Sequence, residues 1–311
     1  MDAERPVRSP VATAARVVVA LALAQALIVA LFVLPAHDPE PHDLPIAVAG
    51  PPNAVQAFQA RIERRQPGAF DIRRVTDGVS ARQAILDRDV YGAIDPIAGR
   101  LLVSTAASPQ VALLLEGAFG PQLRQTVDVR PTDPDDPRGV TINLVMLPLL
   151  VLALPFAGII RRFPLSWQQD LALTLGFAVL GALLVRLVVG TLIGAVPGPF
   201  VGVWAIGALL IASVALPALG LTRLIGPIGI AIVAVIVILI GNPGSGNASA
   251  PELLPGFWRV VGPLLPPGAG GAAIRNVAYF DGAKLAQPLI VLVIFAAIGT
   301  VLLLVAHRRA D

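Results

Sequence analysis

Six stretches of this chain are apolar for about the 20 residues that a helix needs to cross a hydrocarbon layer of about 30 Å. They run from Val17 to Leu34, Val140 to Ile160, Leu171 to Ile193, Phe200 to Leu221, Leu224 to Gly241 and Pro288 to Ala306. The composition agrees: 56% of the 311 residues are hydrophobic and 14% are charged, against about 25% charged in a soluble domain. The chain therefore predicts an α-helical polytopic membrane protein with six transmembrane helices. The first run, 18 residues from Val17 to Leu34, exceeds the roughly 7–15 residues of a signal-peptide core, and "LPAHD" is a poor cleavage site, so a retained anchor is expected.

The arginines orient the spans. Arg5, Arg8 and Arg16 precede the first, Arg161 and Arg162 follow the second, Arg223 lies between the fourth and fifth, and Arg308 and Arg309 end the chain. With six spans all of these fall on one face, which puts both termini in the cytoplasm under the positive-inside rule. The opposite short loop, "GTLIGAVPGP", carries no charge. Residues 1–35 then hold a cytoplasmic tail and the first span, 36–139 an extracytoplasmic domain, and 140–311 five further spans with a long outer segment at 242–287.

Between proline-rich linkers, alternating apolar patterns in the 36–139 region make a small α/β domain of about 90 residues inserted between the first two spans. Strands are expected at 45–50, 70–75, 91–95, 100–106 and in "TVDVRP". Helices are expected after Asn53 as a cap, after Ser80, and from Pro109 to about Gln125. Its expected ligand edge is the set of loops that follow strands, with Asn53 and Asp95 as candidates, although a turn and a cap account for the same residues. "HDPEPHDLP" and "RPTDPDDPRG" read as proline-spaced linkers, and the prolines spread Asp133, Asp135 and Asp136 too far apart for a calcium loop.

Several chemistries find no residues. Cysteine is absent, and His37, His42 and His307 lack metal-ligand spacing, so no metal, no cofactor and no catalytic group are expected. Net charge is +3, but no basic run is interleaved with aromatics, so nucleic acid is not an expected partner. "PPGAGGAAIRN" (266–276) contains the spacing G-x-G-x-x-A of a dinucleotide fingerprint. It follows paired prolines rather than a strand and has no acidic residue about 20 positions on, so it reads as coincidence.

Within the spans Arg186 is the strong charge. It lies about 23 Å from Leu171 along a helix, near the outer boundary, where snorkelling and lining a substrate path are both open. The 242–287 segment is too apolar for a solvated loop and too broken by proline and glycine to span. It reads as a re-entrant hairpin: "PELLPGFWRVVGPLL" descends, the prolines and glycines of "PPGAGG" turn the chain, and "AIRNVAYF" returns.

Residues 241–282, "GNPGSGNASAPELLPGFWRVVGPLLPPGAGGAAIRNVAYFDG", resemble the segment before the last span in bacterial membrane proteins similar to the phage infection protein family. Those proteins are grouped with the membrane subunits of type 2 ABC exporters. The order of one span, a large outer domain and five spans with an outer hairpin is similar too. The resemblance implies a permease-like subunit in a bacterial plasma membrane. Such a subunit moves a lipid, cell-envelope precursor, drug or peptide outward as a homodimer, or a heterodimer with a similar permease. No G-x-x-x-x-G-K-[ST] loop is present and Lys284 is the sole lysine, so a separate ATPase subunit must supply the energy.

On this reading the substrate path draws on Arg186, Asn242, Ser245, Arg275, Asn276 and Asp281. The ATPase would couple through "RRFPLSWQQD", that is Arg161, Arg162, Ser166 and Trp167, with "PLSWQQD" as a short coupling helix capped by Ser166. The alternative is a non-transporting receptor or scaffold that acts through its outer domain.

Overall fold

The computed structural model describes residues 10–37 and 39–309; Arg5 and Arg8, which enter the charge asymmetry, lie outside the described residues. Helix α1 (Pro10–His37) is apolar on every side, and Val17, Leu21, Leu27 and Leu34 are all exposed. A helix that is hydrophobic all round belongs in an apolar medium.

Next come β1 (Leu44–Ala49), α2 (Pro52–Arg65), β2 (Phe70–Val75), α3 (Gly78–Leu86), β3 (Gly92–Asp95), β4 (Arg100–Val103), α4 (Pro109–Phe119) and β5 (Gln125–Asp128). The strands form one sheet in the order β2-β1-β3-β4-β5, parallel except for the antiparallel β3–β4 pair. β1 is an inner strand buried on both faces: Ile46 and Val48 enter one core with Leu101 and Leu115, and Ala47 enters another with Ile85. All five strands and three helices expected from the pattern are present. Two caps are not where the sequence suggests. α2 starts at Pro52 behind Pro51, while Asn53 merely accepts from the Ala54 amide at 3.0 Å. α3 is capped by Asp77, which accepts from the Ser80 amide at 2.8 Å, and that bond holds the Asp77 carboxyl below its usual range. In the linker that follows β5, Asp136 is buried and accepts the Val140 and Thr141 amides, starting the next helix.

The remaining helices are α5 (Thr141–Val151), α6 (Ala153–Ile160), α7 (Trp167–Arg186), α8 (Phe200–Ile225), α9 (Ile228–Ala234), α10 (Gly256–Val261), α11 (Pro266–Tyr279) and α12 (Ala286–Arg308). α5 and α6 are one span broken at Leu152, where Pro155 removes an amide donor and crowds the carbonyl of Val151. α7 continues in wider π-helical turns from Leu187 to Leu192. Among the described residues, five helical stretches are long and apolar enough to cross a bilayer: 14–35, 141–160, 167–192, 200–225 and 286–308. That is the pattern of a multi-pass membrane protein. The fourth and fifth expected runs divide differently from the sequence reading. α8 continues through Arg223 to Ile225 before Gly226 and Pro227 end it, leaving a shorter apolar helix, Ile228–Gly241.

α8 is the axis of the bundle, buried along most of its length. It meets α12 almost backbone to backbone: a Cβ on Gly220 would sit 2.8 Å from Leu302 Cβ, and one on Gly299 would collide with the Pro217 nitrogen. Close approach of this kind maximises dispersion contact where water provides no drive for helix association.

α11 corrects the reading of "PPGAGG". The prolines occupy its first turn, where no amide donor is missed, and the glycines lie within the helix. None of Gly268, Gly270 and Gly271 has positive φ. The chain turns earlier, at Gly262–Leu265, and the glycines serve packing: a Cβ on Gly270 would lie 2.5 Å from Leu210 of α8, and one on Gly271 would overlap the Asn247 carboxamide.

Candidate functional site

The α/β unit is seated on the segment between α9 and α12. Tyr91, just before β3, donates its hydroxyl to Glu252 Oε2 at 2.9 Å, and the Glu252 carbonyl accepts the His42 amide at 2.9 Å. Burial, and then the Glu252 carboxylate, push the Tyr91 phenol up, so it is protonated and donates. Three ion pairs flank this contact: Asp43–Arg259 at 3.0 Å, Asp89–Lys284 at 2.7 Å and Asp281–Arg130 at 3.0 Å. Arg130 Nε also donates to the Tyr279 carbonyl. Each pair has an exposed member and is worth about 0–1 kcal/mol. The seating therefore rests more on Tyr91–Glu252 and on Ala250 and Leu253, which enter the core of the α/β unit. Tyr91→Phe is expected to speed hydrogen exchange at the His42 amide by about ten- to a hundredfold, because a hydrogen bond to a charged group is worth about 1.5–3 kcal/mol.

Backbone strain gathers here. Among the described residues the non-glycine positions with left-handed φ are Asp43, Arg88, Val196, Asp281 and Lys284. Four of these five line the seam between the α/β unit and the bundle. Such conformations cost about 1–2 kcal/mol each and persist where surrounding contacts over-determine them.

Beneath the seam is a buried polar layer. Arg275 Nη2 donates to the Asn247 carbonyl at 2.9 Å, Asn247 Nδ2 donates to the Pro267 carbonyl at 3.0 Å, and Ser245 Oγ donates to the Asn242 carbonyl at 2.8 Å. Asn276 Nδ2 reaches the Lys284 carbonyl at 3.3 Å, while its buried Oδ1 has no donor. Arg275 is buried and, among the described residues, forms no ion pair with a carboxylate. Asn242, through its carbonyl, Ser245 and Arg275 are thus linked through Asn247, whereas Asn276 bonds to the Lys284 carbonyl and exposed Asp281 pairs with Arg130.

Arg186 is placed apart from that layer. Its Nη1 and Nη2 donate to the carbonyls of Val196 (2.6 Å) and Gly198 (3.0 Å), its ring neighbour is Phe200 at 5.4 Å, and its buried Nε is unpartnered. It closes one end of a small apolar cavity of about 40 Å³ between α5, α7 and α8. The geometry matches a guanidinium reaching out of the apolar layer to satisfy loop carbonyls.

No family model, curated protein or solved structure matches this chain. The site is accordingly read from its own chemistry.

At the opposite end of α7, α8 and α12 a second polar cluster is buried. Asp170, fully enclosed, receives Arg223 Nε and Nη2 at 2.8 Å each. The remaining Arg223 donors reach the carbonyls of Arg161 (3.2 Å) and Phe163 (3.1 Å). His307 Nε2 lies 3.1 Å from the Leu165 carbonyl and 3.4 Å from Asp170 Oδ2. The loop between α6 and α7 is therefore fastened to α8 and α12 from beneath, while Arg161, Arg162 and Phe163 point outward and are exposed. Ser166 caps α7 in a full capping box with Gln169. "PLSWQQD" is not a separate coupling helix: Trp167 begins the span itself.

On the α/β unit the expected edge residues do not converge on a pocket. Asp95 Oδ1 accepts the Ala98 amide at 3.1 Å in the β3–β4 turn, and Asn53 stands exposed in the first turn of α2. The crevice that does exist, about 300 Å³, opens beyond the carboxyl ends of β1 and β3 and is lined by Val48, Val55, Phe58, Ile94 and Phe119, with Arg61 the charged member. Those two strands flank the topological switch point of the sheet, where open α/β folds place ligands.

Sequence reasoning singled out Ser245, Arg275 and Asn276 as polar residues in an apolar context. It missed Asn247, Glu252, Tyr91 and Arg88, and at the other end Asp170 and His307. Asp170 had a readable signal: a carboxylate directly preceding a long apolar run, with an arginine at the equivalent end of another.

Proposed function

We propose that the chain is a permease-like subunit of an ABC-type exporter, working outward on a lipid, cell-envelope precursor, drug or peptide with a separate ATPase. It would sit in a bacterial plasma membrane as a homodimer or a heterodimer with a similar permease. On this reading six helices cross, α9 and its π-helical extension being the short fifth, both termini are cytoplasmic, the α/β unit is extracytoplasmic and 242–287 is the outer hairpin. The chain itself carries no enzymatic step.

The observation that supports this best is the pair of attachments at the two ends of α8 and α12. At one end the 161–170 loop is fixed by Arg223 and His307, with Arg161, Arg162 and Phe163 presented as a rigid surface. At the other, α11 packs on the same two helices and the hairpin carries the α/β unit. A force on the loop is then transmitted along a closely packed helix pair of about 35–39 Å to the hairpin, which is what coupling to an ATPase requires. The apolar crevice beside Arg61 favours a second reading, a receptor or scaffold whose α/β unit binds a ligand without transport.

Purification in mild detergent from its native host separates the two. A stoichiometric ATPase should accompany the protein, with its hydrolysis stimulated at least several-fold, and replacing 161–164 by glycine and serine should abolish the stimulation. Repeated recovery of a well-folded protein alone would leave only the receptor reading standing.

A further inference from the structure

A cavity of about 520 Å³ lies where the α/β unit, the hairpin and the start of α12 meet. Its lining includes Arg88, Tyr91, Glu252, Arg259, Asn276 and Lys284. Arg259 and Lys284 already have carboxylate partners in Asp43 and Asp89. Two other groups are unmatched. Arg88 rests over the rings of Tyr91 (5.4 Å) and Phe280 (4.9 Å) and, among the described residues, has no carboxylate. Glu252 accepts the Tyr91 hydroxyl but pairs with no described cation. Asn276 also lines the cavity, but its Oδ1 is enclosed and faces away from it.

The unmatched set is one cation and one carboxylate, with Arg88 on left-handed backbone. An anion alone would satisfy Arg88 and repel Glu252. A simple cation would do the reverse. The complement is a zwitterion that carries an anionic oxyacid and, a few bonds away, a primary ammonium with three N–H donors.

The surroundings indicate where such a group comes from. Gln287 and Pro263 line the cavity, and below Gln287 the exposed residues Ile290, Ile294, Ile298, Val301 and Val305 form a continuous stripe down α12 at helical spacing. Val260 and Leu264, which flank Pro263 in the chain, are also exposed. A polar cavity thus sits at the head of an unbroken apolar track about 27 Å long, close to the thickness of a hydrocarbon layer.

We propose that this cavity binds the aminophosphate headgroup of a phosphatidylethanolamine-type lipid, with the phosphate at Arg88 and the ammonium at Glu252, and its acyl chains lying along α12. The inference deepens the proposed function by naming a lipid class at the hairpin, yet it requires only that α12 crosses a bilayer, not that the lipid is exported.

The test uses the full chain in mild detergent, with phosphatidylethanolamine, phosphatidylcholine and phosphatidylglycerol of identical acyl chains as probes, read by native mass spectrometry and by lipid-dependent melting temperature. Phosphatidylethanolamine is expected to be retained about tenfold over phosphatidylcholine, whose quaternary nitrogen has no N–H, and over phosphatidylglycerol, which has no cation for Glu252. Glu252→Gln and Arg88→Gln should each erase most of that preference and the associated thermal stabilisation. Asp95→Asn, remote in the β3–β4 turn, should change neither.

Equal retention of the three lipids would overturn the proposal, as would a preference unchanged in both variants. Displacement by an equal concentration of water-soluble glycerophosphoethanolamine would reassign the site to a soluble zwitterion and overturn the lipid assignment. If a variant fails to fold, the wild-type ranking of lipids alone decides. Lipid selectivity without a co-purifying ATPase would sink the exporter reading and leave this one intact; a stimulated ATPase without selectivity would do the opposite.

Discussion

Arg223→Ala should be among the most damaging single substitutions in the bundle, lowering stability by about 3–5 kcal/mol. Its guanidinium is the bidentate partner of a carboxylate with no solvent exposure, Asp170, and it also satisfies carbonyls in the loop between α6 and α7. Removing it leaves a buried charge whose nearest remaining cation source is His307, at 3.4 Å. The double variant Asp170→Ala/Arg223→Ala removes that unpaired charge and should recover about half of the loss, the remainder reflecting the orphaned carbonyls. Apparent melting temperature in detergent checks this. Equal melting of the single and double variants would show that the carboxylate is not held as a buried ion. The same experiment bears on function, because a loop released from Arg223 should no longer stimulate an ATPase even where its exposed residues are intact.

The elements that pattern alone makes visible are those whose burial is local. β1, β2 and the helices that follow each of them are legible from alternation, although the starts expected at Asn53 and Ser80 are made by Pro51–Pro52 and by Asp77, and the long apolar runs follow from hydropathy. What the sequence obscures is set by partners far along the chain. Arg223 reads as a loop residue between two spans, yet a carboxylate 53 positions earlier draws it into α8, which therefore runs to Ile225 and shortens the next helix. Asn53 looks like a cap, but paired prolines already form the first turn of α2.

The site divides the same way. Ser245, Arg275 and Asn276 stand out because polar groups are rare in such a setting. Glu252 and Tyr91 do not, since their bond joins residues 161 positions apart. Asn247 carries no distinguishing signal among the small residues around it, whereas its carboxamide is buried and bonded to the Pro267 carbonyl. The glycines of "PPGAGG" were visible as exceptional, and their usual meaning, a turn, was the wrong one. Only the neighbouring Leu210 and Asn247 reveal that the demand is for space.

That demand makes Gly271→Val the second large effect. In place of a hydrogen the valine would occupy the position of the Asn247 carboxamide, so either α11 or the 245–250 turn must leave. Overpacking of this kind costs about 1–3 kcal/mol, and displacing Asn247 adds the loss of bonds to Pro267 and from Arg275. The expected total is about 3–5 kcal/mol, concentrated in the hairpin. Because the chain has no cysteine, a single cysteine at Ala273, fully buried on α11, reports the outcome directly. In the parent it should react with a water-soluble maleimide at least about a hundredfold more slowly than one at exposed Ala248, and in the Gly271→Val background that protection should largely vanish, since a hundredfold corresponds to about 2.7 kcal/mol. Gly271→Ala, smaller but still in contact, should fall between. Fast labelling at Ala273 in the parent would mean that α11 is not docked on α8. Slow labelling that survives Gly271→Val would mean that Asn247 is free to move, and that the polar layer around Arg275 is less fixed than its hydrogen bonds indicate.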